Sequence, residues 1–188
     1  GDHQANNWIK TTAAHNTVLI DGQPAQAALK TEVKGFTESN GYRFVDITTD
    51  CPAPGGQHHT RRRAITLIPI SDSHSILIDV FDTQGGQIHD YIMRVNDPDS
   101  RFGTGTQSLT SRDCPFEGLF DPAPFGFRTA GHQSTPYAIT WGHHHRVTCH
   151  VLSPAHELVT FKSPAWRNRV EVFEEPDRAW DAILLRTG

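Results

Sequence analysis

Short runs of Val, Ile, Thr and Phe alternating with polar residues dominate this chain, and helical periodicity is nearly absent. Such alternation, broken by turn residues, marks strands with one face buried. It predicts strands at 17–21, 28–36, 42–48, 60–69, 75–82, 88–95, 137–141, 146–152, 158–162, 169–173 and 179–185. Regular spacing of this kind predicts an all-β fold: one antiparallel β-sandwich of two large sheets spanning residues 1–188, with about 11–12 strands. Turn chemistry supports the boundaries. Asp21-Gly22 closes the first strand, Ser39-Asn40-Gly41 reads as a tight hairpin, and Gly85-Gly86 separates two convincing strands.

Residues 96–136 interrupt the pattern with scattered glycines and phenylalanines, and read as a long irregular stretch either folded back on the sheet or covering another domain. A net charge of −4 gives no broad attraction to nucleic acid or anionic membranes, so neither is expected as a partner. Cys51, Cys114 and Cys149 form no Cys-x-x-Cys pair, which excludes ribbon-type zinc and thioredoxin-like motifs; one bridge is possible. No apolar run reaches the ~18 residues of a membrane-spanning helix, and no signal peptide is visible. Both ends read as cuts within a longer protein.

Several histidines stand where chemistry is possible. His15, with Asn16 beside it, opens the first strand. If that strand reverses near Gln23 and Pro24 into the second, His15 lies opposite Glu32, with β-carbons ~4.5–5.5 Å apart. Such a pair could share a metal or a hydrogen bond, or could be an ordinary strand-end histidine and a solvated carboxylate. In His58-His59-Thr60-Arg61-Arg62-Arg63, alternation puts His59 and Arg61 on one face and His58, Thr60 and Arg62 on the other. His59 and Arg61 suit an anion such as a uronate carboxylate or a sulfate. The competing reading makes the three arginines a charged sheet edge that deters association.

His89-Asp90-Tyr91 reads as a structural hydrogen-bonding cluster or an acid–base set. His143 and His145 share a face, but no carboxylate follows to complete a cupin-type metal set. Tyr42, after the Asn40-Gly41 turn, is either an ordinary strand aromatic or a proton-transfer group.

The run Ala14-His15-Asn16-Thr17-Val18 with Asp21-Gly22 resembles a signature of the heparinase II/III-like family, a group of polysaccharide lyases. His59-x-Arg61-Arg62, Leu77–Asp79 with Asp82 before Gly85-Gly86, His89-Asp90-Tyr91 and a late strand from Trp180 to Arg186 follow in the same order. The resemblance implies a β-sandwich packed, in the parent, against an N-terminal α/α toroid, with an acidic polysaccharide in the cleft between them. It implies β-elimination: a base takes the C5 proton of a uronic acid, the C4–O bond breaks, and the substrate carboxylate must be neutralised. It implies catalytic roles for His15, Asn16 and Tyr42, substrate binding by Arg61, and a structural Zn2+ held by His15, Glu32 and His59, with Glu32 chosen by spacing. A periplasmic or secreted bacterial protein follows from the same resemblance, and the fragment alone is expected to be inactive. The alternative is a non-catalytic carbohydrate-binding module using an aromatic platform from Trp8, Trp141, Trp166 or the phenylalanine-rich stretch.

Overall fold

A computed structural model describes residues 12, 15–24, 27–52, 58–94, 108–114, 125–131, 137–141, 147–163 and 180–188. Within them lie twelve strands: β1 (Thr17–Ile20), β2 (Lys30–Ser39), β3 (Tyr42–Pro52), β4 (His58–Ser71), β5 (His74–Gln84), β6 (His89–Arg94), β7 (Thr110–Ser111), β8 (Phe125–Ala130), β9 (Tyr137–Trp141), β10 (Val147–Val151), β11 (Glu157–Ser163) and β12 (Trp180–Thr187). Every pairing is antiparallel. The all-β expectation is met. The strands fall into two compact units, residues 1–24 with 87–188 and residues 25–86.

The first unit holds a six-stranded sheet in the order β1-β6-β12-β11-β8-β7 and the ribbon β10-β9. Each face of the sheet has its own apolar cluster. Leu19, Ile92, Val159, Phe161 and Leu184 pack with Phe127 on one face, where the Phe127 and Phe161 rings stack 5.2 Å apart. Leu158, Ile183 and Leu185 pack on the other against Ile139 and Trp141 of β9 and Val151 of β10. The ribbon therefore supplies the second layer of a sandwich. Burial on both faces explains the apolar runs Val18-Leu19-Ile20 and Ala182-Ile183-Leu184-Leu185, in which alternation disappears.

An ion network crosses the first face. Asp90, fully buried, receives two bonds from Arg186, at 2.7 Å from Nε and 2.8 Å from Nη2. Glu157, opposite Arg186 on β11, pairs with Arg112 and accepts a 2.7 Å bond from Thr129. The Asp90 carboxylate raises the Arg186 pKa above its ordinary value. His89-Asp90-Tyr91 is thus split by strand alternation: Asp90 braces one face, while Tyr91 packs against the cluster on the other.

The second unit is a four-stranded meander in the order β2-β3-β4-β5. Asn40 and Gly41 both take positive φ (50° and 81°), which closes the β2–β3 hairpin as its sequence predicts. A bulge between Val33 and Gly35 leaves Lys34 without a partner on β3 and lets it reach Glu32 at 2.9 Å.

Two expectations require correction. β1 pairs with β6, not with the second strand, and Glu32 lies opposite Thr48. The reversal at Asp21-Gly22 leads away from β1 because Asp21 is committed elsewhere. Its carboxylate accepts the Gln87 and Ile88 amides, both at 2.8 Å, and its own amide donates to the Ile88 carbonyl at 2.7 Å. Second, the stretch expected to be irregular contains β7 and β8, and β8 lies inside the sheet between β11 and β7. Of the possible bridges among Cys51, Cys114 and Cys149, none is formed as a disulfide. The expected strand at 169–173 lies outside the described residues.

Candidate functional site

The head of β1 is set by its pairing with β6. Thr17 opposes Ile92, and that register continued by two residues brings His15 toward Arg94. The Asn16 side chain secures the junction: its Oδ1 accepts the Arg94 backbone amide at 2.7 Å. Asn16 is therefore occupied in holding two strand ends together. His15 is exposed, and its backbone amide donates to the Thr12 carbonyl at 3.1 Å, which curls the chain just before the strand. Arg94 is partly buried, and burial lowers its pKa from the ordinary arginine value, though a guanidinium remains a cation at any physiological pH. An exposed imidazole at one strand end and a half-buried guanidinium at its neighbour's end suit an anionic ligand with a transferable proton. Sequence reasoning nominated His15 and Asn16 but missed Arg94. An arginine closing an apolar strand carries no signal until the β1–β6 pairing is known.

In the second unit, His59 and Arg61 share a face, opposite Cys51 and Thr49 of β3. His59 is buried beside Gly85. At Gly85 φ is +90° and a Cβ would meet the His59 ring at 2.7 Å, so both backbone conformation and space demand glycine there. The three arginines separate by function. Arg62 grips the buried Asp46 carboxylate, its Nη2 at 2.7 Å and its Nε at 3.0 and 3.2 Å, and holds the Asp46 carboxyl below the usual range. Arg63 binds Asp79 at 2.9 and 2.7 Å and lies over the Phe81 ring. Arg61 differs: its Nε is buried with no hydrogen-bond partner among the described residues. Burial lowers its pKa, opposed by the neighbouring Cys51. A buried arginine nitrogen without a partner calls for an explanation, and an anion would supply one. The edge-deterrent reading fails, because β4 is an interior strand with β3 and β5 on either side.

The remaining candidates scatter. Tyr42 is exposed at the hairpin tip, and nine residues of extended β3 separate it from Cys51, the cross-strand partner of His59. That spacing is roughly 30 Å, so Tyr42 and His59 stand at opposite ends of one sheet. Glu32 is exposed and flanked by Lys34 and Lys30, which hold its carboxyl below the usual range. Alternation along the registers puts Glu32, Thr48 and Arg62 on one face, and Cys51, His59 and Arg61 on the other. Glu32 and His59 therefore cannot share one zinc ion across this sheet, and the expected donor set does not fit around them. His143, His145, Trp8 and Trp166 lie outside the described residues. Trp141 is buried in the core, which removes it from any glycan platform.

A family model described as "Heparinase II/III-like, C-terminal" matches residues 1–175. The chain belongs to the heparinase II/III-like family. No curated protein and no solved structure gives a significant match. Membership gives the Asp21-Gly22 pair of the family motif a physical meaning here: Asp21 takes positive φ (52°) and fastens β1 to the start of β6. The motif's histidine and asparagine then sit at the opposite end of the same short strand pair, one exposed and one tied to Arg94.

Proposed function

We propose that this heparinase II/III-like chain is the β-sheet part of a polysaccharide lyase acting by β-elimination on uronic-acid-containing polysaccharides of glycosaminoglycan or alginate type. In the whole protein it works beside a helical domain and contributes one wall of the substrate cleft. The observation that carries this reading is the head of β1, where Asn16 clamps the Arg94 amide while His15 faces solvent. An imidazole there is suited to take or deliver a proton at the sugar, and Arg94 to offset the uronate charge as the C5 proton leaves. Asn16 is a positioning residue in this scheme. Arg61, on its separate unit, is a second candidate for holding an acidic group, because its Nε has no protein partner among the described residues. Tyr42, at a hairpin tip, has no part in it. No step is routed through zinc, since Glu32 and His59 do not converge.

The test is formation of unsaturated uronate, followed by absorbance, in the parent enzyme. His15→Ala is expected to lower kcat by at least about 10²-fold, the usual contribution of a proton-transfer group. Arg61→Ala should raise KM more than it lowers kcat, with no rescue by lysine, which lacks the fork geometry. A His15→Ala enzyme within about threefold of wild type in kcat and KM would remove His15 from the mechanism.

A further inference from the structure

The two edges of the four-stranded sheet are built differently. The β2 edge is defended: it carries Lys30, Glu32, Lys34 and Glu38, and a bulge interrupts it. Charges and bulges are the usual means by which a sheet edge resists pairing with another strand. The β5 edge has neither device over its central stretch. It pairs with β4 without a shift from Gln84 back to Ser75, and Ile76, Leu77, Ile78 and Val80 are all exposed, at 49%, 62%, 44% and 54%. The one charge among them, Asp79, is already neutralised by Arg63. A strand that is apolar on both faces has the composition of an interior strand.

On one face the pattern along β5 is also self-complementary. Reflected about Ile78, the strand puts Ile76 opposite Val80 and His74 opposite Asp82. All five residues share that face by alternation, with Ala64, Thr66 and Ile68 of β4 beside the apolar three. On the other face, the same axis sets Leu77 opposite Asp79, whose carboxylate Arg63 already holds. We propose that β5 pairs antiparallel with β5 of a second copy of this chain, about a two-fold axis at Ile78, and joins two four-stranded sheets into one of eight. The ladder pairs the outer backbone edges of the two strands. An apolar stripe forms at its centre, and an imidazole faces a carboxylate at each end. An unlike partner would have no reason to impose this symmetry. A two-fold contact requires it, because each end of the strand must complement the other.

Sedimentation velocity on the 188-residue chain, across roughly 1–100 μM where modest interfaces populate, should show a monomer–dimer equilibrium. Ile78→Lys places two like charges across the axis and should weaken association by at least about a hundredfold. Phe36→Lys, on the defended β2 edge, should leave it unchanged. A second readout does not depend on tolerance of lysine. With the three native cysteines replaced by serine, Ile78→Cys should form a reducible cross-linked dimer on mild oxidation, because directly opposed positions lie ~4.5–5.5 Å apart, within disulfide reach. Phe36→Cys should not. A chain that stays monomeric throughout, or a dimer in which position 78 does not cross-link, overturns the proposal.

Discussion

Replacing Asp90 with asparagine tests the part of the fold that the first unit can least afford to lose. Asp90 is fully buried, and both its oxygens are engaged by Arg186. Asparagine keeps the shape but offers one acceptor and turns an NH2 toward a guanidinium. Breaking a buried pair from one side costs ~3–5 kcal/mol, mostly because the remaining charge stays buried. Here Arg186 retains Glu157 at 3.9 Å. That residual attraction draws the expected cost to the lower end, about 3 kcal/mol. At 2–4 °C per kcal/mol for a chain of this size, Tm should fall by about 6–12 °C.

Tryptophan emission is a suitable probe, because Trp141 is buried in the apolar cluster on the other face of the sheet that carries Asp90. The paired change Asp90→Leu with Arg186→Met should cost clearly less than Asp90→Asn alone, since no unmatched charge remains. An Asp90→Asn chain within about 1 kcal/mol of wild type would refute the claim that this pair is desolvated in the folded state.

Burial pushes the Tyr137 phenol up to about 12, and its hydroxyl has no partner among the described residues. A raised pKa means stability is full below the unfolded value near 10 and is lost as pH climbs toward 12, so wild type should weaken across that window while Tyr137→Phe does not, as read by urea unfolding at each pH. Removing an unsatisfied buried hydroxyl should also leave the variant equal to or up to about 1 kcal/mol more stable than wild type at pH 7. Gly85→Ala should destabilise the second unit by about 1–3 kcal/mol through positive φ and the His59 ring, seen as faster hydrogen exchange of β4 amides; unchanged exchange would count against it. Asn16→Ala should cost about 0.5–1.5 kcal/mol and deprotect the Arg94 amide, with protection elsewhere in the first unit retained.

Strand identity was legible wherever turn chemistry punctuated the chain. Asn40-Gly41 permitted one hairpin, and the observed Ser39–Tyr42 pairing follows from it. Strand pairing was less legible. Neighbouring strands usually pair, which predicts 17–21 against 28–36, yet β1 joins β6 more than sixty residues later. The deciding group, the Asp21 carboxylate, looks in sequence like any turn aspartate; its role depends on amides 66 and 67 positions away. β8 is hidden in the sequence because Gly126 and Arg128 interrupt its apolar pattern, and its Phe127 is buried through β11, a strand remote in sequence.

The arginine run carries the clearest lesson about the candidate site. Alternation alone divides Arg61 and Arg63 from Arg62, but it cannot say which of them is spare. The answer lies on flanking strands: β3 brings Asp46 to Arg62, and β5 brings Asp79 to Arg63. Across from Arg61 stand Thr49 and Thr83, which carry no charge. That leaves a guanidinium between two threonines, partly desolvated, with an Nε that has no hydrogen-bond partner among the described residues. If an acidic sugar is that partner, Thr49→Asp should quench it: a carboxylate beside Arg61 would satisfy the free Nε, stabilise the second unit, and raise KM for the polysaccharide in the parent enzyme. Gain of stability together with loss of affinity is the outcome that a purely structural Arg61 would not produce, and an unchanged KM would assign this arginine to packing alone.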